Sequence, residues 1–391
     1  MNLFDAAERF ASIDPAQVHL DSGCCLYSRD QNSNCSNCFD ICPEGAIQPG
    51  KPPVLNPEVC KSCMACLPVC PVGAYQAEDR ASNLYTCVSR IEGTSVELIC
   101  GLHPLPQTGA DAATTAVQIQ TCLASLGVGI YAGLTALGLE HILVRTDACA
   151  QCPWQSLKPA IQKQVEKAQG FLAGWEKPKE IRCVDHLDQP VERPLLQAKT
   201  PPMTRRDLFR MAALQTKAAL ARELNPGVMD EKQHINPDRL RLTAAVSRLG
   251  DPESADRTAL EGLEFATLTV ADTCTACGAC ARACPSNALR LYVNESETRF
   301  ALALEPRLCM GCEVCVQVCA PAAITVNQEP VYQEAFPSNV VALQSGELSK
   351  CQRCGTRMVK RSGVTLCPMC EFRRKNPFKQ AAPPGIKPLH R

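Results

Sequence analysis

Alternating and helical patterns of apolar residues predict a small α/β domain in the middle of the chain. Residues 95–99, 116–121 and 141–145 have the apolar pattern of strands. Residues 129–139 and 155–175 have the apolar spacing of helices. Strands that alternate with helices predict a small parallel sheet covered by helices.

One apolar stretch, residues 112–139, carries no charged residue. A helix of about 20 apolar residues is long enough to span a bilayer, and this stretch exceeds that length. Its first part alternates like a strand, however, and the whole is rich in Thr, Gln and Gly. We therefore predict a buried strand, turn and helix here and no membrane span.

Shorter apolar segments predict small strands at residues 53–55, 289–291 and 300–304. Proline and charge mark residues 188–202 as a linker, and residues 205–224 read as a helix that ends at Asn225-Pro226-Gly227. The last 20 residues are rich in proline and basic groups, which predicts a loose terminus.

The most specific feature of the chain is a cysteine phrase that occurs in four near-copies, each closed by a proline directly or one residue later. Three copies read C-x2-C-x2-C-x3-C, a spacing that wraps thiolates around a four-iron cluster while the fourth cysteine reaches a neighbouring cluster. The copies are Cys25, Cys35, Cys38 and Cys42; Cys60, Cys63, Cys66 and Cys70; Cys274, Cys277, Cys280 and Cys284; and Cys309, Cys312, Cys315 and Cys319.

Two copies depart from the pattern. The first has nine residues between Cys25 and Cys35, and Cys24 is an alternative to Cys25 as the ligand. The last has Ala320 between Cys319 and its proline, which we expect to change the turn after the cysteine.

Composition and charge limit the number of domains, the partners and the cellular compartment that we expect for this protein. The chain has 391 residues, 46% of them hydrophobic, which is enough for two or three globular domains. Its net charge of zero gives no global field for nucleic acid. Closely spaced cysteines in a long chain favour bound metal over disulfides and therefore a reducing compartment.

The first 20 residues lack the basic start and apolar run of an export signal, so the expected location is the cytoplasm. Arg205-Arg206 resembles a twin-arginine motif, but it lies in mid-chain, and Lys217 and Arg222 interrupt the apolar stretch that an export signal needs. We interpret this segment as the basic first turn of a helix.

Both cysteine-rich segments resemble eight-iron ferredoxins, and their duplication is an internal repeat. The resemblance implies an α+β protein with two ferredoxin-like modules, residues 1–90 and 268–335. It also implies interleaved ligands for four [4Fe-4S] clusters: Cys25, Cys35 and Cys38 with Cys70; Cys60, Cys63 and Cys66 with Cys42; Cys274, Cys277 and Cys280 with Cys319; and Cys309, Cys312 and Cys315 with Cys284.

The α/β domain, residues 91–187, has four further cysteines, the first two at predicted strand ends: Cys100, Cys122, Cys149 and Cys152. Their order resembles the small iron–sulfur delta subunit of methyl-viologen-reducing hydrogenases, although only Cys100 of that family's first cysteine pair is present. The resemblance implies a [2Fe-2S] cluster. A metal-free packing domain and a zinc site are the alternatives.

The same domain contains Gly127, Gly129 and Gly133, with Asp147 further on, which superficially resembles a dinucleotide-binding fingerprint. The glycine spacing does not fit that fingerprint, so we interpret the glycines as turn and helix-packing residues. No other nicotinamide or flavin signature is present.

A knuckle at residues 345–375 holds two closely spaced cysteine pairs, Cys351 with Cys354 and Cys367 with Cys370, the arrangement of a closed tetrahedral metal site. We predict zinc in a ribbon-like knuckle. Mononuclear iron is the alternative, because the turns resemble those of rubredoxin. Cys24, Cys87 and Cys183 remain, and we expect them in the core.

These features predict an electron-transfer protein that relays electrons between redox enzymes, through a hydrogenase, formate dehydrogenase or disulfide-reductase-like complex. Residues 188–267 are expected to be linker and helices. The expected partners are redox proteins, with no small-molecule substrate identified, and we expect a component of an oxidoreductase complex rather than a catalyst. The alternative is an accessory maturation factor for a molybdenum or nickel enzyme, suggested by the Arg205-Arg206 segment.

Overall fold

The computed structural model describes residues 18–29, 33–78, 80–175, 178, 180–199, 235–255 and 258–376. The chain divides into two compact units, Met1–Gly262 and Leu263–Arg391. The predicted helix at residues 205–224, the twin-arginine-like segment and most of the C-terminal 20 residues lie outside the described residues.

The first unit contains short strands around its cysteine loops and longer ones in its α/β part. They are β1 (His19–Leu20), β2 (Ile47–Gln48), β3 (Val54–Leu55), β4 (Tyr75–Gln76), β5 (Ser95–Ile99), β6 (Thr108–Gly109), β7 (Thr115–Gln118), β8 (His141–Arg145), β9 (Glu180–Val184), β10 (Val191–Glu192) and β11 (Leu195–Gln197). The helices are α1 (Leu26–Arg29), α2 (Asn37–Ile41), α3 (Cys66–Val69), α4 (Arg80–Val88), α5 (Val128–Ala136), α6 (Lys158–Leu172) and α7 (Pro237–Leu249).

A parallel sheet in the order β11-β7-β5-β8-β9 forms the centre of this unit. The predicted parallel α/β arrangement is confirmed. Strands β5 and β8 have the predicted bounds, and the uncharged stretch forms β7, the 3-10 turn Leu123–Ser125 and α5. Apolar residues of β5 are buried, as expected for a strand covered on both faces. Among the described residues, no helix combines the length and the apolarity needed to cross a bilayer.

One edge strand of the sheet lies within residues 188–202, the segment predicted to be a linker. Residues 195–197 form the edge strand β11, which pairs with β7, and backbone bonds from Ala116 N to Pro194 O (3.0 Å) and Ala198 N to Gln118 O (2.9 Å) extend the pairing. The segment has only three residues beside a proline, so it shows no periodicity in sequence. Its strand conformation comes from hydrogen bonding to a neighbour distant in sequence.

The glycines at the start of α5 serve helix packing, as predicted. An added Cβ at Gly129 would overlap the carbonyl oxygen of Asp238, and one at Gly133 would overlap the hydroxyl of Tyr85. The partly buried Asp238 carboxylate accepts hydrogen bonds from the backbone N–H groups of Gly129 (2.9 Å) and Ile130 (3.1 Å). A side chain of the protein therefore occupies the helix terminus where a dinucleotide phosphate would otherwise bind.

The second unit combines a cysteine-rich module with the knuckle. Its strands are β12 (Thr267–Val270), β13 (Leu289–Val293), β14 (Arg299–Leu304), β15 (Ile324–Asn327), β16 (Val341–Lys350) and β17 (Arg357–Val359), and its helices are α8 (Ala279–Ala283), α9 (Val314–Gln317), α10 (Tyr332–Ala335) and α11 (Pro368–Lys375). An antiparallel sheet in the order β13-β14-β16-β17 joins the module to the knuckle, because β16 pairs with β14 of the module and with β17 of the knuckle. The predicted strands near residues 289 and 300 are confirmed.

Replacement of Gly129 by alanine should destabilise the first unit. The added methyl group meets the backbone of α7 rather than a flexible side chain, and overpacking of this kind costs about 1–3 kcal/mol. We expect a lower apparent midpoint of thermal unfolding in anaerobic protein followed by circular dichroism. Gly93→Ala is the matched control, because its Cβ would meet nothing closer than 3.9 Å. Equal midpoints for both variants would contradict the packing role.

Candidate metal centres

The loops of the three regular cysteine phrases share one backbone shape. In each loop the residues just before and just after the second cysteine have φ between 53° and 71°. They are Ser62, Met64, Ala276, Gly278, Gly311 and Glu313. Non-glycine residues rarely adopt this conformation. Left-handed residues in such loops turn backbone N–H groups inward and form a concavity for an anion. The loops are therefore shaped around a negatively charged group held by the cysteines.

The turn after the fourth cysteine is the same in all four phrases. The residue three positions later has positive φ and donates its N–H to the cysteine carbonyl oxygen, at Gly45, Gly73, Asn287 and Ala322. The expectation that Ala320 changes this turn was wrong, because the turn closes through the backbone of Ala322 and needs no proline directly after Cys319. At equivalent positions, Ala74 N donates to Cys70 Sγ (3.2 Å) and Ala323 N to Cys319 Sγ (3.3 Å).

The fold brings cysteines of different phrases together at two cavities. We name the four expected ligand sets site A (Cys25, Cys35, Cys38, Cys70), site B (Cys42, Cys60, Cys63, Cys66), site C (Cys274, Cys277, Cys280, Cys319) and site D (Cys284, Cys309, Cys312, Cys315). All four cysteines of site B line a cavity of ≈ 360 Å³, and all four of site D line one of ≈ 350 Å³. Two modules distant in sequence therefore each place four cysteines, three from one phrase and one from the other, around a cavity of similar size.

Site A differs at its beginning, as the irregular first phrase predicts. Neither neighbour of Cys35, the second cysteine of this phrase, has positive φ. Cys38 lies in the short helix α2, as the third cysteines of the other phrases lie in α3, α8 and α9. Burial raises the pKa of the Cys25 thiol, and the neighbouring Cys38 adds to this rise. Cys24 packs in the core with 1% of its surface exposed. The geometry supports Cys25 over Cys24 as the member of site A.

Burial and mutual repulsion act on the thiols of these sites. Burial, together with smaller contributions from Cys42 and Cys60, raises the pKa of Cys63 to about 12. In site D, burial raises the pKa of Cys315 to about 12, and Cys309 and Cys312 add to it. Each cavity has one buried and three partly buried cysteines, and four thiolates crowded in this way are stable only with compensating positive charge. Iron supplies this charge, so the donor set fits an iron–sulfur cluster.

The four cysteines of the α/β domain also converge on one cavity, which we name the α/β pocket. Cys100 follows β5, Cys122 follows β7, and Cys149 and Cys152 follow β8, so the ends of adjacent parallel strands bring them to one edge of the sheet. All four line a cavity of ≈ 440 Å³. Burial raises the pKa of Cys100 to about 12, with Cys152 adding to the rise.

A buried ionic network that sequence analysis missed borders this pocket. Arg145, 1% exposed, donates through Nε and Nη2 to the two carboxylate oxygens of Asp147 (2.9 and 2.7 Å). His103 is buried, with Nε2 3.2 Å from Asp147 Oδ1. Burial opposes ionisation of Asp147, but hydrogen bonds from His103 and Arg145 hold its pKa well below its usual range.

The same network extends to the central strand. Glu97 lies 3.6 Å from Arg145 Nη1 and also pairs with Arg193. A charged residue inside a buried strand and an arginine at the end of the next strand were the available sequence signals. Neither reveals its partner, because the strands meet only in the folded sheet.

The knuckle gathers four sulfur atoms more tightly. Sγ atoms of Cys351, Cys354, Cys367 and Cys370 all lie within 4.8 Å of one another, and those of Cys354 and Cys367 are 3.7 Å apart. Tetrahedral zinc with Zn–S bonds of about 2.3 Å requires S···S distances of about 3.8 Å. The N–H of Cys367 donates to Cys351 Sγ (3.2 Å) and lowers the pKa of that thiol to about 6. The group can hold a single metal ion.

One arginine of the knuckle reaches site C. Arg361 Nη2 donates to the carbonyl oxygen of Cys274 (3.1 Å) and to that of Asp272. Burial raises the pKa of Cys274, while the positive charge of Arg361 opposes this rise. The knuckle therefore places a cation beside a cysteine of site C.

Comparison with known proteins identifies two iron–sulfur segments. A model of the 4Fe-4S dicluster domain matches residues 273–324, and a model of the 4Fe-4S binding domain matches residues 53–76. Over 109 residues the chain is 28% identical to "Electron transport protein HydN" of Escherichia coli strain K12, and equally to the proteins of that name from the O6:H1 and O157:H7 strains. The alignment covers 28% of this chain and 58% of the relatives' length. The matches show 4Fe-4S segments in both modules and support an electron-transfer role.

The interleaved pairing predicts which double variants lose one centre and which lose two. Cys42→Ser and Cys63→Ser both remove ligands of site B, so the double variant should lose the same ~4 iron atoms as either single variant. Cys63→Ser combined with Cys70→Ser affects sites B and A and should lose about eight. Iron and sulfide analysis of anaerobic protein measures both losses. The reverse result would show that each phrase fills its own centre.

Zinc affinity of the knuckle should fall on acidification, most steeply below pH about 6. Above that pH the Cys351 thiol is already ionised, because its folded-state pKa is lowered to about 6. Below it, protons compete with the metal for Cys351 as well as for the other thiols. Competition with a chromophoric chelator across this pH range measures the affinity, and Cys354→Ser serves as the control without a complete site. An affinity that does not change with pH would contradict zinc binding by these thiolates.

Proposed function

We propose that this chain is a multi-centre electron carrier that relays electrons between redox enzymes. The observation that carries the proposal is the repeated pair of interleaved cysteine sites, A with B in the first unit and C with D in the second. Cavities of ≈ 360 and ≈ 350 Å³, each lined by three cysteines of one phrase and one of its partner, support this arrangement.

Sites A to D would each hold one [4Fe-4S] cluster, which supplies a reversible one-electron change. The chain's own part is to hold the thiolates, to direct backbone N–H groups at the sulfur and to exclude water. Hydrogen bonds from Ala74 and Ala323 to cysteine sulfur perform part of this task. Such bonds and the local burial tune the potential of a cluster.

The α/β pocket would hold a [2Fe-2S] cluster through Cys100, Cys122, Cys149 and Cys152. Convergence of the four cysteines on one cavity of ≈ 440 Å³ supports the proposal, as does the resemblance to the hydrogenase delta subunit. Buried Arg145 beside this pocket would stabilise the negative charge that a reduced cluster gains.

The knuckle would hold zinc in a structural role, with mononuclear iron as the competing occupant. Sulfur atoms within 4.8 Å of one another fit either ion, since both bind four thiolates as a tetrahedron. Continuity of β16 with the sheet of the second unit supports a role in holding that module.

The partners would be redox proteins, in a complex that contains a hydrogenase, a formate dehydrogenase or a disulfide-reductase-like enzyme. No small-molecule substrate is needed for such a relay. This part of the proposal rests on the resemblance of the α/β domain, and on relatives that carry the name of an electron transport protein.

Metal analysis of anaerobic protein tests the cofactor content. Four cubanes require about 16 irons, and the two-iron cluster raises the total to about 18. We expect broad visible absorption that dithionite bleaches reversibly, together with one zinc per chain. Iron-free protein, or iron that never changes oxidation state, would overturn the electron-transfer proposal. Replacement of the four cysteines of the α/β pocket by serine should remove only the two-iron contribution.

Co-purification tests the biological role. An electron carrier should exchange electrons with a mature redox enzyme in an anaerobic assay, and Cys63→Ser should slow this exchange while leaving the knuckle metal in place. Binding confined to an immature apo-enzyme, without electron exchange, would instead favour an accessory maturation factor.

A further inference from the structure

Two cysteine cavities of the first unit are joined by a hydrogen bond between their walls. Glu44 lines the cavity of site B, and Trp154 lines the α/β pocket. The indole Nε1–H of Trp154 donates to Glu44 Oε1 at 2.5 Å. These residues are 110 positions apart in sequence, so the bond fixes the cysteine-rich module to the α/β domain.

The bond lies in a closely packed part of the unit. Trp154 is 3% exposed. Helix α3, which begins at Cys66 of site B, contacts the turn Leu123–Ser125 that directly follows Cys122. Cys122 of the pocket and Cys63 of site B are close enough to interact electrostatically.

Helix α7 holds the same two parts from another side. The side-chain amide of Asn236 donates to the carbonyl oxygen of Cys70 (2.7 Å) in the cysteine-rich module. Two residues later, Asp238 accepts from the N-terminal N–H groups of α5 in the α/β domain. One short segment thus forms directional hydrogen bonds with both the cysteine-rich module and the α/β domain.

We propose that Glu44 and Trp154 are positioning residues that hold site B against the α/β pocket, so that metal centres bound in the two cavities interact directly. The inference rests on the proposed function, because it requires a two-iron centre in the pocket. It goes further by making site B, and not site A, the neighbour of that centre. Electrons that pass through the first unit would then use this contact.

Electron paramagnetic resonance of fully reduced anaerobic protein tests the proposal. A two-iron centre beside a reduced cubane relaxes faster than an isolated one, and its signal is broadened. We expect this enhancement in the wild type and its loss in Cys63→Ser, which removes the cubane of site B. Cys277→Ser removes a cubane of the second unit and should leave the enhancement unchanged.

Variants that keep every cysteine test the positioning residues. Trp154→Phe and Glu44→Ala lose the hydrogen bond and should weaken the enhancement at unchanged iron content. Glu44→Gln retains an acceptor oxygen and should restore it. Trp175→Phe is the matched control, because Trp175 is buried in the same unit but donates to Gly250 O at 3.1 Å.

A two-iron signal that relaxes alike in the wild type and in Cys63→Ser would overturn the inference and leave the proposed function standing. Enhancement unchanged in Trp154→Phe and Glu44→Ala would likewise overturn the role of this pair. Absence of any two-iron signal in the wild type would overturn both the inference and the proposed centre of the α/β pocket.

Discussion

Crowding of buried sulfur is the constraint on which both units depend. Thiols are inexpensive to bury, but thiolates that share a cavity repel one another and lose hydration. The raised pKa values of Cys63, Cys100 and Cys315 express this cost, which a bound cation removes. Because a cluster ties together residues of two phrases, its binding energy is also folding energy for loops with little apolar core of their own.

The phrases solve the geometric part of the problem with backbone conformation. The residues on both sides of the second cysteine have a left-handed backbone conformation. This conformation is costly for residues other than glycine, such as Ser62, Met64 and Glu313. Such strain persists only where the surroundings compensate for it, and here it turns N–H groups toward the sulfur. At α5 the Asp238 carboxylate accepts hydrogen bonds from the N–H groups of the helix terminus and leaves no room for a phosphate.

Similar sites acquire different surroundings in the two units. Site B lies against the α/β domain through Glu44 and Trp154, whereas site C receives the guanidinium of Arg361 from the knuckle. A nearby cation favours the reduced, more negative state of a cluster, and a nearby buried centre offers an exchange partner. Repetition of one phrase therefore need not give equivalent centres.

Local patterns in the sequence determined the cysteine phrases and the strands β5 and β8, because ligand spacing and apolar periodicity are properties of short segments. Tertiary structure alone decided that residues 195–197 complete the sheet and that Glu97, Arg145 and His103 meet beside the α/β pocket. It also decided that Trp154 reaches Glu44. These contacts join residues remote in the chain, and only packing selects among the many partners that each side chain could otherwise have.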